Sequence, residues 1–307
     1  MALAKVQTKL MGNIFEFSVV CDNEEQGNEQ IASGINEVKR IEKLLTTFSD
    51  DSVTNEVNRQ AGIQPVVVPD EFYDLVFRAQ KISTLTHGYF DLSYGSLDKD
   101  FWNFNKSMTQ LPDRHKAKKA VYLIDYHNII LDHEAKTVFL KNKGMRIGFG
   151  GIGKGYAADR AKQVMLQSGV KNGIVSAAGD LNVWGRQEDG SPWTIGIANP
   201  DLKQSYFSTL SLTDKSVATS GNYEKFVKIG NQLYSHTINP KTGYPIKGIK
   251  SVTVITSNAE LADAMATPIS IMGVTEGLRF INQLNGIECI LVDDANKLYV
   301  SNNINLK

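Results

Sequence analysis

The chain has 307 residues, of which 42% are hydrophobic and 21% charged, enough to bury a substantial core and without the composition of a disordered chain. Its 33 basic and 33 acidic residues cancel, removing the electrostatic footprint that duplex DNA or an anionic membrane surface selects. The two cysteines, Cys21 and Cys289, have neither zinc-ligand nor redox spacing and read as small buried hydrophobes.

Ile14 to Val20 reads as a strand, and Asn28 to Leu45 carries Ile31, Ile35, Val38, Ile41 and Leu45 at helical spacing. A loop through Asp50, Asp51 and Ser52 leads to a second helix, opened by Pro69-Asp70, lined by Phe72, Leu75, Val76, Ala79 and Ile82, and closed at His87-Gly88. Lys116, Lys118 and Lys119 form the densest basic stretch; with no aromatic residues between them they read as a solvated loop, not a nucleic-acid surface. Between Val121 and Leu140 the apolar runs 122–124, 129–131 and 138–140 predict an antiparallel meander. A glycine-rich turn, Gly148 to Gly155, enters a helix with Ala158, Ala161, Val164 and Met165 inward, and the strand Ile174 to Ala178 follows.

Short alternating strands recur from Trp193 to Tyr234, including Phe207 to Leu212 and Phe226 to Ile229, and Ser251 to Thr256 is another. Helices Glu260–Met272 and Thr275–Leu284 and strands Glu288–Val292 and Lys297–Val300 close the chain. This is an α+β pattern of mixed sheets with flanking helices. No repeat or linker divides it, so residues 1–307 read as one domain, or as a core with a smaller lobe. No run of about 18 apolar residues occurs and Met1 to Leu10 has no apolar signal region, so the sequence as written reads as soluble. The expected compartment is extracytoplasmic (periplasmic, at the inner membrane) if a signal segment has been removed, and cytoplasmic otherwise.

Four segments carry chemistry. In 150–159, Gly-Gly-Ile-Gly-Lys-Gly-Tyr-Ala-Ala-Asp, glycines and a helix start beside Lys154 suit a phosphate, although the spacing matches neither a Walker loop nor a dinucleotide fingerprint and a structural turn is the alternative. In 176–180, Ser-Ala-Ala-Gly-Asp, Asp180 either binds a sugar hydroxyl or caps a turn. The stretch from Thr219 to Tyr223 and then Ser235 to Pro245 contains His236, catalytic or structural, in a turn punctuated by Pro240 and Gly243. In 262–267, Ala-Asp-Ala-Met-Ala-Thr, Asp263 and Thr267 share a helix face and offer two hard oxygens, suited to magnesium better than zinc; complementing the helix dipole is the alternative for Asp263.

In this order, with Met11-Gly12, Phe48-Ser49-Asp50-Asp51-Ser52, Asn58, Gly88-Tyr89-Phe90-Asp91 and Met272-Gly273, the four segments resemble the FAD:protein FMN transferases, the ApbE family, over nearly the whole chain. The resemblance implies a T-fold-like core and a Mg2+-dependent enzyme that cleaves FAD, attaches FMN through a phosphoester to a Thr or Ser of an acceptor flavoprotein, and releases AMP. It assigns the metal to the carbonyls of Gly151 and Ala266 and the side chains of Asp263 and Thr267. FAD falls to Met11, Phe48, Tyr89, Phe90, Asp91, Lys154 and Thr237, with Asp180 and Ser220 nearby, and His236 assists the incoming hydroxyl or orients the pyrophosphate.

The same residues also suit an FAD pyrophosphatase giving free FMN and AMP, or a non-catalytic flavin-binding protein. Membrane contact is expected only through a removed anchor or a membrane-bound acceptor. Three positions depart from the family's pattern. Gly148 stands where an aspartate is common, Phe48 replaces a stacking tyrosine and loses its hydroxyl, and Asn239 replaces the aspartate before Pro240.

Overall fold

The structure, a computed structural model, describes residues 2–97, 110–111, 113–198, 206–221, 226–229 and 232–304. Asn222 and Tyr223 of the third segment lie outside the described residues. In chain order the elements begin with β1 (Ala2–Leu10), β2 (Asn13–Cys21), α1 (Glu24–Leu45), α2 (Val53–Arg59), β3 (Val66–Val67) and α3 (Asp70–Leu85). Next come α4 (Arg114–Ala120), β4 (Ile129–Asp132), β5 (Thr137–Leu140), α5 (Gly153–Gln167), β6 (Gly173–Ala177), β7 (Asp180–Trp184), β8 (Trp193–Ala198) and β9 (Tyr206–Leu212). The chain closes with β10 (Lys215–Gly221), β11 (Phe226–Ile229), β12 (Gln232–Ser235), β13 (Ile249–Thr256), α6 (Ala259–Ile281), β14 (Glu288–Asp293) and β15 (Leu298–Val300).

Among the described residues the largest sheet has eight strands, ordered β1-β2-β6-β7-β10-β13-β14-β15 and antiparallel at every pairing. Side chains alternate between its faces. On one face Phe15, Phe17, Ala218, Val252, Val254 and Leu291 join α1, α5 and α6 in a single buried cluster that runs along the chain from Ala4 to Leu291. On the other, Val183, Val217, Ile255 and Ile290 are covered by Trp193, Ile195 and Ile197 of the β8–β9 ribbon. Both faces are thus apolar, which is why β13 is buried along nearly its whole length. Cys21 and Cys289 are free thiols buried in the main cluster, and burial pushes the Cys289 thiol up to about 12.

The mixed α+β architecture with flanking helices matches the pattern of the sequence. The helices start where the local chemistry requires: the Asn23 side chain accepts the Gln26 N–H at 3.0 Å before α1, and α3 follows Pro69 with Asp70 and Glu71 in its first turn. The two closing helices are one element broken at Gly273, whose φ of 79° is left-handed and ends the first of them where the sequence predicts.

Four local expectations are corrected. The chain opens with a strand, β1, that the apolar pattern does not predict: it is an edge strand with only Ala4 and Leu10 buried, so its signal is faint. The loop after Ser52 is helical as α2, nucleated by Ser52 accepting the Asn55 N–H at 3.0 Å. The basic stretch 116–119 lies on α4, where Asp113 accepts the His115 N–H at 2.9 Å, and is not a loop. Residues 122–124 form a turn, and the third strand beside β4 and β5 is β3 instead. No helix among the described residues is long and apolar enough to cross a membrane.

Candidate active site

The site begins where α5 meets α6. Any side chain at Gly155 would place its Cβ 2.1 Å from the Ala259 carbonyl oxygen and 2.9 Å from Asp263 Cβ, so only glycine permits this approach. The contact delivers a hydrogen bond from the Gly155 N–H to Asp263 Oδ2 at 3.1 Å. One residue earlier, the Lys154 ammonium donates to Asp180 Oδ2 at 2.6 Å and to both Asp263 oxygens at 3.3 Å. Lys154, Asp180 and Asp263, which the sequence presents in three separate motifs, are therefore one cluster.

Asp180 starts β7 after a two-residue hairpin turn at Ala178 and Gly179, whose φ values of 56° and 99° are both left-handed, and its register partner is Ala177 of β6. Its carboxylate also accepts the Thr219 N–H of β10, which puts Ser220 beside it in sequence. The side chains are sequestered, with 5% of Asp180, 9% of Asp263 and 24% of Lys154 exposed. Burial and the neighbouring Asp263 charge raise the Asp180 pKa to about 7 despite the ammonium. Burial alone would lower the Lys154 pKa, but the two carboxylates outweigh it and keep the ammonium charged. Once Asp180 gives up its proton, two carboxylates against one ammonium leave the buried cluster with an excess negative charge.

That excess, with the hydroxyl of half-buried Thr267 one turn beyond Asp263, suits a hard divalent cation. No group of three or more His, Cys, Asp or Glu side chains capable of holding a metal occurs among the described residues, so a cation here would draw on backbone and hydroxyl oxygens as well. The Ala266 carbonyl lies within α6 and accepts the Ser270 hydroxyl at 3.1 Å.

Around the glycine turn, a Cβ on Gly153 would lie 3.7 Å from Met11 Cε and one on Gly151 would lie 3.8 Å from Phe90 Cε2. Met11 thus reaches the turn from the β1–β2 hairpin, where its φ of 50° is left-handed, and Phe90 reaches it from the end of α3. Phe48, on the loop after α1, is 94% exposed. Asp91 accepts the Ser93 N–H and hydroxyl at 2.8 and 2.6 Å and the Tyr126 N–H at 2.8 Å, while burial raises its pKa to about 6. Its carboxylate orders the segment behind Phe90.

The 236–245 turn is tied to the same segment. The Tyr94 hydroxyl accepts the Ile238 N–H at 3.1 Å, and the Lys241 ammonium lies 4.0 Å above the Tyr89 ring. Thr237 is buried with its N–H bonded to Ser235 Oγ at 2.9 Å, and His236 is exposed. Asn239 Oδ1 accepts the Lys241 N–H at 2.9 Å, so this departure from the family pattern initiates the turn. At Gly148 a Cβ would have its nearest neighbour at 3.8 Å, so the missing aspartate side chain is not excluded by crowding.

Several contributors carry little signal in the sequence. Tyr94 and Lys241 have none, because their roles rest on contacts across the fold. Asn58, one of the residues that carry the family resemblance, gives no local sign of its partner: it donates to the Ile147 carbonyl at 3.1 Å and accepts the Ile147 N–H at 2.7 Å, clamping the entry to the glycine turn across a separation of 89 residues. Asp159 ends the glycine motif; its spacing of four from Gly155 is the signal that both face α6.

The ApbE family profile matches residues 11–291. An FAD:protein FMN transferase of Klebsiella pneumoniae (strain 342) is 30% identical over 277 residues, spanning 89% of this chain and 85% of the relative. One from Treponema pallidum (strain Nichols) is 28% identical over 270 residues, spanning 83% and 74%. The crystal structure of the ApbE protein of Thermotoga maritima superposes with a TM-score of 0.88 at 28% identity, covering 98% of this chain and 97% of that one. The apo form of the Pseudomonas stutzeri flavinyl transferase ApbE gives 0.85 at 25% identity, covering 98% and 95%. A profile match across all four motifs, joined to fold similarity over nearly the whole length, means that the chain belongs to the ApbE family.

Proposed function

We propose that this chain is a Mg2+-dependent FAD:protein FMN transferase that joins FMN through a phosphoester to a Thr or Ser of an acceptor flavoprotein and releases AMP. The observation that carries this reading is the buried Lys154–Asp180–Asp263 cluster at the α5–α6 junction, one ammonium facing two carboxylates. Asp263, Thr267 and the carbonyls of Gly151 and Ala266 would hold the cation. When bound, it would neutralise charge on the FAD pyrophosphate.

The chain's own groups do the rest. Lys154, at the start of α5, provides a fixed positive charge for phosphate oxygens. Met11, Phe48, Tyr89, Phe90, Asp91, Thr237, Asp180 and Ser220 are the residues assigned to FAD; the 94% exposure of Phe48 supports a stacking role, since an exposed ring gains most when a flat ligand covers it. His236 is exposed, and an imidazole, which exchanges protons near neutrality, is the group to take the proton of the attacking hydroxyl. The hydroxyl oxygen bonds to the FMN-side phosphorus, the pyrophosphate bond breaks, and AMP leaves with the electron pair.

The test is incubation with FAD, Mg2+ and a candidate acceptor subunit, followed by intact-mass analysis of the acceptor. Acceptor heavier by one FMN less one water, the mass of a phosphoester-linked FMN, is the expected result. Free FMN and AMP with unmodified acceptor would replace this reading with a pyrophosphatase, and intact FAD throughout would leave a flavin-binding protein.

A further inference from the structure

The start of α6 is held from two sides. Its own N-cap, Asn258, accepts the Leu261 N–H at 2.9 Å. The two N–H groups before that, of Ala259 and Glu260, do not go to a local cap. They donate to Asp159 Oδ1 at 2.9 Å and Oδ2 at 2.8 Å, and Asp159 belongs to α5. A helix start leaves its first N–H groups without intrahelical partners, and here a carboxylate on a neighbouring helix collects two of them.

Asp159 is itself braced. Asn182 of β7 donates its amide to Asp159 Oδ1, and the Lys162 ammonium donates to Asn182 Oδ1 at 3.0 Å. Burial raises the Asp159 pKa, a cost that the two backbone donors offset in part. Gly155 and Asp159 lie one turn apart on α5, so a single face of that helix fixes α6 at two points: Gly155 at Asp263, and Asp159 at residues 259 and 260. Asp263 is one turn beyond Ala259, and a displacement of the helix start would carry Asp263 and Thr267 away from Lys154 and the glycine turn together.

We infer that Asp159 is a positioning residue for the cation site, acting through the backbone of α6 to set the distance between Asp263 and the glycine turn. The inference rests on the cation site proposed above. An outer partner that orients a ligand in this way typically contributes 10–100-fold to metal affinity.

The test is Mn2+ binding to the purified full chain, followed by the electron paramagnetic resonance of the free ion, with Mg2+ as competitor. Wild type should bind Mn2+ displaceably, and Asp159→Asn and Asp159→Ala should bind at least about tenfold more weakly. In transfer assays the metal concentration for half-maximal rate should rise by a similar factor, while kcat at saturating metal falls less. Arg78→Met is the control: it removes the ion pair from α3 to the Glu260 side chain, made at 2.7 and 2.9 Å, but leaves the backbone clamp intact. Its Mn2+ affinity should match wild type.

Asp159 variants that fold and bind Mn2+ like wild type would overturn the inference and leave the cation site standing. A wild type that binds no Mn2+ would remove the cation site and the inference with it. Should the Asp159 variants not fold, Asn182→Ala, which withdraws the brace alone, must weaken Mn2+ binding, and wild-type affinity in that variant would overturn the inference.

Discussion

Lys154→Met tests the electrostatics of the cluster. The substitution keeps much of the aliphatic stem and removes the ammonium from two carboxylates that are 5% and 9% exposed. Removing one partner of a buried ion pair costs about 3–5 kcal/mol, because the remaining charge is left desolvated, and here two like charges are left together. The pH dependence has a definite sign. The folded pKa of Asp180 is already raised to about 7, above the unfolded value of about 3.9, so the folded protein holds a proton that the unfolded chain releases. Stability linked to this group is fully present below the unfolded pKa and is lost as pH rises through the folded one.

Without Lys154 the shared proton is held still more tightly, so the loss extends to higher pH. Each tenfold tightening of that hold corresponds to about 1.4 kcal/mol. Wild type starts to release this proton near pH 7 and the variant does not, so urea unfolding compared at each pH should give a deficit of about 3–5 kcal/mol near pH 8 that is smaller by about 1.4 kcal/mol, one proton over one pH unit, near pH 5. Added Mg2+ should recover part of the deficit at the higher pH. A deficit that is equal at both pH values would refute the reasoning, since it would mean that Lys154 contributes packing and not charge.

Gly155→Ala forces α5 and α6 apart by about 1 Å, because its Cβ would stand 2.1 Å from the Ala259 oxygen; denaturant midpoints should report a loss of about 2–3 kcal/mol, and wild-type stability would show that the helices can part freely. Asp263→Ala should lose most FMN transfer, and activity within about threefold of wild type would remove Asp263 from the cation site. Phe48→Ala should leave the thermal midpoint unchanged, because the residue is 94% exposed, yet weaken FAD binding about tenfold, as losing about 1.4 kcal/mol of stacking would. A Phe48→Ala protein that binds FAD as wild type does would place the flavin elsewhere. Tyr94→Phe removes the acceptor of the Ile238 N–H and should slow transfer with only about 1 kcal/mol of destabilisation, measured by paired kinetic and unfolding assays; unchanged kinetics would mean that the 236–245 turn is held without it.

Much of the local structure is legible in order along the chain. Periodic apolar residues mark α1, α3, α5 and α6, alternation marks the central strands, and Gly273 marks the break between the closing helices. Elements with weak signals are lost. β1 is an exposed edge, α2 and α4 are short polar helices made by caps, and the apolar run 122–124 resembles a strand but has no strand to pair with. Hydrophobic pattern reports apolar burial: β1 and α4 bury little, and most of what α2 buries, Thr54, Asn55 and Asn58, is polar.

The candidate site divides in the same way. Residue types by themselves determined that the glycine turn with Lys154 suits a phosphate and that Asp263 with Thr267 offers hard oxygens, because charge, hydroxyl chemistry and backbone freedom are local properties. Only the tertiary structure decided that Lys154, Asp180 and Asp263 share one charge cluster, that Asp91 also accepts the distant Tyr126 N–H, and that Asp159 reaches across to α6. Those facts depend on which strands pair and how closely two helices approach. Contacts between residues tens to more than a hundred positions apart are settled by packing of the whole core, which no local window of sequence contains.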